Sequence, residues 1–275
     1  MLEQQKLLRL INRLHARAQP PLPTGLISLL VEGTRVGDAQ PAVARFIAER
    51  LDGFSLINET LTFADATLDF KARSELLARA AQQLRDAGMI TGWRDEALSV
   101  GNPPLAIIER AACRPLGIAT QAVHLNAYVD PGTLLVARRA AHKQIDPGLW
   151  DNLVGGMVPA GESLQQALAR EAWEEAGLQL DLVQLQRGRS FHVRRPVTEG
   201  MQSEIVHVYD TSLPPGLRPH NRDGEVDAIE PQSVEDIVSA IERDEFTLES
   251  ALVTLESITR RSATLTPAGL FCDDD

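Results

Sequence analysis

The chain has 275 residues, of which 44% are hydrophobic, so it is long enough for two modest domains with buried cores. A formal net charge of −11 at pH 7 argues against a general affinity for nucleic acids or anionic membranes, although local positive charge or a bound metal would still admit an anionic small molecule. Cys113 and Cys272 form no CxxC pair, so a disulfide framework is not expected and a cytoplasmic location is favoured.

The first segment, residues 2–18, has helical periodicity, with Leu7, Leu8, Ile11 and Leu14 on one face. Charged residues interrupt it throughout, and it lacks the apolar region and small-residue cleavage site of a signal peptide. No stretch of the chain approaches 18 uncharged apolar residues, so no membrane span is expected.

The next segments carry further helix signals and one strand signal. Asp38 is predicted to be the N-cap of a helix over residues 39–51. Alternating apolar residues over 54–63 indicate a pair of strands. Residues 71–87 predict another helix, which Gly88 would end.

The character of the sequence changes near residue 115. Three strand-like runs follow, with the sequences VHLNAYV, TLLVARR and SEIVHVYD. Helices are predicted over residues 164–176, 234–243 and 248–261, and the last five residues, FCDDD, are expected to form a polar tail. The sequence therefore predicts a smaller α-rich accessory domain over residues 1–115, followed by an α/β domain over residues 116–275.

One helix in the second domain has clear boundaries. It lies in the segment GGMVPAGESLQQALAREAWEEAGL, residues 155–178. Ser163 and Gln166 have the spacing of a capping box at its start, and Gly177 is placed to end it in the left-handed conformation. The helix is therefore expected to begin directly after Ser163.

Three carboxylates share one face of this helix, because Glu171, Glu174 and Glu175 have i, i+3 and i+4 spacing. They repel one another, and the C-terminal end of the helix dipole adds to the repulsion. A divalent ion such as Mg²⁺ or Mn²⁺ would reverse this, because hard cations take oxygen ligands and fill their shell with water and phosphate oxygens. Arg170 is four residues before Glu174 and can pair with it. On these residues alone, a solvated acidic face is an equal alternative.

The wider spacing resembles a known motif. Gly156, five residues, Glu162, seven residues, then Arg-Glu-x-x-Glu-Glu-x-Gly from Arg170 and an apolar residue is similar to the Nudix box. The resemblance to Nudix hydrolases implies a mixed β-sheet sandwiched between helices, with the box forming loop–helix–loop. Ala172 departs from the pattern, since the family usually has Ile, Leu or Val there. This is a packing position, so intact chemistry is expected.

The resemblance also implies a reaction, the metal-dependent hydrolysis of a small-molecule diphosphate. It further implies a role for each residue at a matching position of the box. Glu171, Glu174 and Glu175 would ligate Mg²⁺ or Mn²⁺, Arg170 would orient a glutamate, Glu162 would stabilise the loop through Arg170, and Gly156 would supply a backbone ligand or a tight turn. The general base varies across the family. Glu225, on the loop after the SEIVHVYD strand, is the candidate here, and an ordinary surface glutamate is the alternative.

The segments around the box point to a subgroup. They resemble the Nudix domain associated with thiamine pyrophosphokinase in some fungi, and GWRDE at residues 92–96 resembles the accessory domain that precedes it. The substrate implied is thiamine diphosphate or its oxidised analogues, cleaved to the monophosphate and phosphate. A nucleotide such as ADP-ribose, or a dinucleotide cofactor, is the alternative.

Six residues are candidates for contacting this substrate. Arg138 and Arg139 end a strand near the box and match phosphate geometry, with a solvated strand end as the alternative. Trp93 is a candidate for stacking on a heterocycle beside Arg94, although a core tryptophan is the commoner case. His124 and Asn126 lie on one side of a strand, where they would line a pocket or satisfy internal hydrogen bonds.

Two other classes of function are less favoured. Isomerisation of an allylic diphosphate, which relatives with this fold perform, needs a catalytic cysteine near the sheet, and no cysteine lies between Cys113 and Cys272. A non-catalytic sensor is disfavoured because every box glutamate is present. No zinc site is expected. The role of the N-terminal domain stays open: it would close over the substrate, stabilise the fold or form a homodimer.

Overall fold

The computed structural model describes residues 2–63, 65–143 and 145–262. Cys272 and the predicted polar tail lie outside these residues. Within them, no helix is both long enough and apolar enough to cross a membrane.

The N-terminal part combines helices with short strands. Its helices are α1 (Leu2–Ala18), α2 (Pro41–Arg50), α3 (Phe70–Asp86) and the short α4 (Cys113–Leu116). Its strands are β1 (Ile27–Val31), β2 (Thr34–Ala39), β3 (Phe54–Ile57), β4 (Thr60–Phe63), β5 (Ala97–Val100) and β6 (Ala106–Glu109). Strands β1 to β4 form one sheet in the order β2-β1-β4-β3, and β5 pairs with β6.

The predicted N-cap at Asp38 is wrong. Asp38 belongs to strand β2, where it pairs with Ser28, and the helix begins at Pro41 after Gln40, whose side chain makes no capping bond. The Asp38 carboxylate instead accepts hydrogen bonds from Arg35 and Arg194. The sequence TRVGDA has little apolar alternation, so its pairing with β1 gave no local signal.

The second part is built on one large mixed sheet. Its strands are β7 (Thr120–Asp130), β8 (Thr133–Arg139), β9 (Trp150–Asn152), β10 (Val154–Met157), β11 (Leu185–Arg187), β12 (Phe191–Val197), β13 (Gly200–Ser212) and β14 (Val226–Ser233). Its helices are α5 (Leu164–Ala176), α6 (Val234–Glu242) and α7 (Leu248–Arg261). The main order is β11-β13-β7-β8-β14, with β7 and β13 parallel and β10 alongside β7.

Helices cover both faces of this sheet, as expected. Helix α5 packs through Leu168 and Ala172 on a core that includes Val123 and Leu125 of β7. Helix α7 packs on the opposite face, in a core that includes Tyr128. The predicted mixed sheet between helices is therefore confirmed, and the three predicted helices have the predicted bounds to within one residue.

Helix α1 packs on the second part of the chain. Ile11 and Leu14 are buried with residues of α6 and α7, and Arg17 forms an ion pair with Asp244 at 2.5 Å. Residues 27–118 contribute a separate core that does not include α1. The packing thus groups α1 with the larger sheet, although it comes first in the sequence.

Strand β5 connects the two parts next to the Nudix-like segment. The Ala160 amide donates to the Ala97 carbonyl at 2.8 Å, and Leu98 forms a bridge with Pro159. The N-terminal part therefore contacts the loop that precedes α5 and fixes its position.

Candidate active site

Helix α5 has the ends that its sequence predicts. The Ser163 hydroxyl accepts the Gln166 amide, and the Gln166 side chain accepts the Ser163 amide at 2.9 Å, which completes the capping box. Gly177 has φ of +60°, a conformation that suits glycine. Ala172 is fully buried, so the departure from the box falls on a packing position.

Two glycines of β10 allow the carboxylates of α5 to reach the cleft. The Gly155 amide donates to Glu175 Oε2 at 2.8 Å. A Cβ atom at Gly156 would lie 2.0 Å from Cδ of Glu171, so this carboxylate lies directly on the glycine backbone. Any side chain at position 156 would displace Glu171.

Arg170 holds several groups of the box together. Its Nε donates to Glu162 at 3.2 Å, and one terminal nitrogen donates both to Glu171 at 2.9 Å and to Glu174 at 3.1 Å. Its other terminal nitrogen donates to the Met157 carbonyl at 3.3 Å. Burial lowers the pKa of the guanidinium, but Glu171 and Glu162 outweigh this and raise it overall. The planar fork of arginine makes these simultaneous contacts, which a lysine cannot reproduce.

The box glutamates are electrostatically unfavourable without a cation. Burial raises the pKa of Glu175 well above its ordinary value, and repulsion from Glu171 adds to this increase. Burial also raises the pKa of Glu171, despite the opposing effect of Arg170. A divalent cation bound between these groups would stabilise their charged forms.

The oxygen donors fit Mg²⁺ or Mn²⁺. In the part of the chain that the structure describes, no three His, Cys, Asp or Glu side chains stand close enough to form a ready-made metal cage. Mg²⁺ does not require one, because it keeps several waters and commonly takes one or two carboxylates with substrate phosphates. Glu171, Glu174 and Glu175 line one open cleft and meet this requirement.

The cleft has a volume of about 500 Å³ and also contains Glu225. The loop before Glu225 is tied to the end of α5, since the His220 amide donates to the Ala176 carbonyl at 2.9 Å. Burial raises the pKa of Glu225, but its bond to Lys143 outweighs burial and lowers the pKa overall. Glu225 is therefore a charged carboxylate facing the box.

The structure brings three of the six candidate substrate residues to the cleft. Arg94, His124 and Arg139 line it. His124 Nδ1 lies 2.9 Å from Oδ1 of Asn152, and Arg139 donates to Asp151 at 2.9 Å. Both side chains are thus held in fixed positions at the cleft wall.

The other three candidates lie outside the cleft lining. Arg138 lies on the opposite face of β8 from Arg139. Its side chain is exposed and donates to the Gly148 carbonyl. Trp93 packs on the N-terminal core and donates to Asp95 at 2.7 Å. Asn126 is almost fully buried and donates to Asp210 at 3.0 Å, so it satisfies internal hydrogen bonds.

Several cleft residues gave no usable signal in the sequence. They come from the N-terminal part, from the loop after β8, and from β9, β12, β13 and α7: Glu96, Arg110, Arg114, Lys143, Asp151, Arg195, Gln202, Glu204 and Glu249. Polar and charged residues at these positions are ordinary for a protein surface, and long-range contacts such as the pairing of β7 with β13 and the bridge between β5 and Pro159 bring these parts of the chain together.

This arrangement defines a class of site. Carboxylates on one helix, backed by an arginine and by glycines of an adjacent strand, face a cleft that also contains arginine and lysine. Such a site holds a divalent cation together with phosphate oxygens.

The family comparison agrees with this class. Residues 120–252 match the NUDIX domain model, and residues 6–120 match a domain of unknown function (DUF4743). The later part of the chain therefore matches a Nudix domain, and the earlier part matches a domain to which the family model assigns no function.

Three relatives illustrate the range of similarity. The uncharacterized protein YJR142W of Saccharomyces cerevisiae is 27% identical, over 70% of this chain and 63% of that protein. Nudix hydrolase 20, chloroplastic, of Arabidopsis thaliana is 29% identical, over 72% of this chain and 54% of that protein. An isopentenyl-diphosphate Delta-isomerase of Mycolicibacterium vanbaalenii is 36% identical, over 35% of this chain and 51% of that protein. The chain thus spans about half to two thirds of the length of these relatives.

Proposed function

We propose that this protein hydrolyses the diphosphate linkage of a small molecule in a reaction that depends on Mg²⁺ or Mn²⁺. The observation that carries the proposal is the placement of Glu171 and Glu175 against the Gly155–Gly156 backbone, with Glu174 beside them in one cleft. Burial and mutual repulsion make these carboxylates unfavourable without a cation, so the fold holds them in a position that metal binding would stabilise.

The residues of the chain divide the work as follows. Glu171, Glu174 and Glu175 would hold the metal, and its charge would neutralise phosphate oxygens and acidify an attacking water. Arg170 fixes the orientation of Glu171 and Glu174 through its hydrogen bonds. Glu225 accepts the proton of the attacking water, and Lys143 holds Glu225 in the cleft.

For the substrate, we propose thiamine diphosphate or an oxidised analogue, with a monophosphate and phosphate as products. The support is the resemblance of the segments flanking the box to the Nudix domain associated with thiamine pyrophosphokinase. ADP-ribose is the alternative substrate, and its cleavage would give two phosphorylated fragments in place of free phosphate.

The test is phosphate release from thiamine diphosphate and its oxidised analogues in Mg²⁺, with cleavage of ADP-ribose followed in parallel by chromatography of its two phosphorylated fragments and Glu175→Gln as the inactive control. Turnover of the thiamine compounds that is lost in Glu175→Gln supports both the reaction and the substrate. Turnover of ADP-ribose alone supports the reaction and rejects thiamine diphosphate as the substrate. Binding without any turnover rejects hydrolysis and favours a sensing role.

Isomerisation of an allylic diphosphate is a weaker proposal, although the relatives include an isomerase. Cys113 is the cysteine within the described residues, and it is buried outside the lining of the cleft. Burial raises the pKa of its thiol to about 12, so it stays protonated at neutral pH. Incubation with isopentenyl diphosphate should therefore leave that compound unisomerised.

A further inference from the structure

A second pocket adjoins the proposed catalytic cleft. It has a volume of about 320 Å³ and lies between the N-terminal part and strand β13. Met89, Ile90, Ile118 and Met201 give it apolar walls. The residues that line both this pocket and the catalytic cleft include Arg94, Arg110, Arg114, Met157, Gln202 and Glu204. A ligand in the cleft therefore has room to extend into this pocket.

Glu204 is a buried carboxyl group at the junction of the two spaces. It is only 8% exposed, yet it lines both the cleft and the second pocket. Among the described residues it forms no ion pair within 4.0 Å, and the hydroxyl of the neighbouring Thr120 donates to the Ser203 carbonyl at 3.3 Å. A carboxyl group this buried usually has a cationic partner.

The arginines around Glu204 have other partners. Arg110 forms an ion pair with Glu96 at 2.7 Å, and Arg114 lies 3.5 Å from Glu199. The Nε of Arg195 donates to Gln202 at 2.9 Å. These three arginines are thus engaged with other side chains, and among the described residues none of them forms an ion pair with Glu204, which lines both spaces.

The electrostatics of Glu204 agree with this geometry. Burial raises the pKa of Glu204, and repulsion from Glu249 raises it further, against the opposing effect of Arg114 and Arg110. A ligand that carries positive charge or donates an N–H group would stabilise the carboxylate at this position.

Strand register separates Glu204 from the metal end of the cleft. Glu204 pairs with Thr120 of β7, whereas Gly155 pairs with His124. Thr120 and His124 are four residues apart along β7, which corresponds to about 13 Å. Strands β13 and β10, which carry Glu204 and Gly155, are separated by a further two inter-strand spacings. This span accommodates a diphosphate at the box and an organic group beside Glu204.

We propose that the second pocket binds the organic group of the substrate, and that Glu204 recognises a cationic or N–H-donating nitrogen on a compact heterocycle. This proposal rests on the proposed function in one respect, since it assumes that the phosphate end of the substrate lies at the box.

The test measures binding without turnover. Thiamine monophosphate is titrated calorimetrically in Mg²⁺ into the wild type, Glu204→Gln and Glu256→Gln. Glu256 is a buried glutamate bound by Arg260 away from both pockets, so its variant reports the general effect of losing a buried carboxylate. We expect Kd to rise about tenfold or more for Glu204→Gln and to change little for Glu256→Gln, since hydrogen bonds to charged groups contribute at this level.

A second variant makes the test independent of Glu204. Thr91 is exposed at the rim of the pocket, so Thr91→Trp would fill the space with little risk to folding. It should weaken thiamine monophosphate binding and lower the ratio of kcat/KM for thiamine diphosphate to that for methyl diphosphate. Methyl diphosphate carries no organic group large enough to reach the pocket.

The outcomes separate this proposal from the proposed function. Binding that depends on Glu204 without hydrolysis of any diphosphate would keep the pocket and reject the reaction. Hydrolysis with equal Kd values in the wild type and Glu204→Gln would keep the reaction and reject the pocket. Failure of the wild type to bind thiamine monophosphate at millimolar concentration would also reject the pocket for this class of ligand.

Discussion

Gly156 shows how one missing side chain positions a carboxylate of the box. A Cβ atom there would lie 2.0 Å from Glu171 Cδ, so Gly156→Ala must push Glu171 away from the metal end of the cleft. We expect kcat/KM to fall by about 10²-fold, the effect of displacing a catalytic group by roughly 1 Å. The control is Gly132→Ala, where the new Cβ would contact only Asp130 at 3.7 Å. Equal activity of the two variants would contradict the proposed role of Gly156.

Glu175 should make the stability of the metal-free protein depend on pH. In the folded chain the pKa of Glu175 is raised well above the ordinary value of 4.5, mainly by burial. At pH values between the ordinary pKa and the raised pKa, the folded chain keeps on Glu175 a proton that the unfolded chain has released. Stability from this group is present below the ordinary pKa and is lost as pH rises through the raised pKa. Wild type should therefore lose stability relative to Glu175→Gln across this range.

Urea unfolding in EDTA from pH 4 to pH 8 measures this difference in unfolding free energy. Adding Mg²⁺ should stabilise the wild type more than Glu175→Gln, because the ion binds the charged form of the box. Parallel pH curves for the two proteins would show that Glu175 titrates normally and would remove the electrostatic reason for a cation there.

Among the secondary-structure elements, α5 was predictable because its signals are local. The capping box, the glycine at its end and the spacing of its glutamates all lie within 24 consecutive residues, and the structure has the same helix bounds. Strand β2 has the opposite character. Asp38 has the residue type of an N-cap, but pairing of β2 with β1 and the contact with Arg194 of β12 override that preference.

The N-terminal cap of α5 should contribute to stability and to the position of the box. Ser163→Ala removes the hydroxyl that accepts the Gln166 amide, and we expect it to cost about 1 kcal/mol of unfolding free energy. Ser233→Ala removes an equivalent cap from α6, far from the box, and should cost a similar amount. Only Ser163→Ala should also lower kcat, because Glu162 precedes the cap and holds Arg170. Loss of kcat in both variants would indicate a general effect of stability on activity.

At the scale of the whole molecule, the cleft could be predicted only in part. The box residues are close in sequence, so their spacing alone indicated a metal site. Glu204 is 33 residues beyond Glu171, and Arg110 lies in the other part of the chain; these residues share a cleft only because β7 and β13 are parallel neighbours and β5 connects the two parts. Neither the pairing of β7 with β13 nor the contact of β5 with the other part of the chain is indicated by a local sequence pattern. The second pocket could therefore be identified only from the three-dimensional structure.

The core that contains α1, α6 and α7 and the separate core of residues 27–118 provide a last prediction about how the chain is divided. We propose that the unit containing the box includes α1 as well as the residues after 115, because Ile11 is fully buried against α6 and α7. Ile11→Ala and Ile47→Ala each remove the same atoms from a fully buried site, one in each core, and each should cost about 2–5 kcal/mol. Their effects on hydrogen exchange should differ in location, since local stability follows contiguous packing.

Ile11→Ala should lower amide protection in α7 and the large sheet, whereas Ile47→Ala should lower it first in α2 and strands β1 to β4. Mass-spectrometric hydrogen exchange on both variants locates the loss. If Ile11→Ala instead loosened residues 27–118, α1 would stabilise the N-terminal core by a route other than its packing. The unit that holds the box would then begin near residue 115, where the sequence alone placed it.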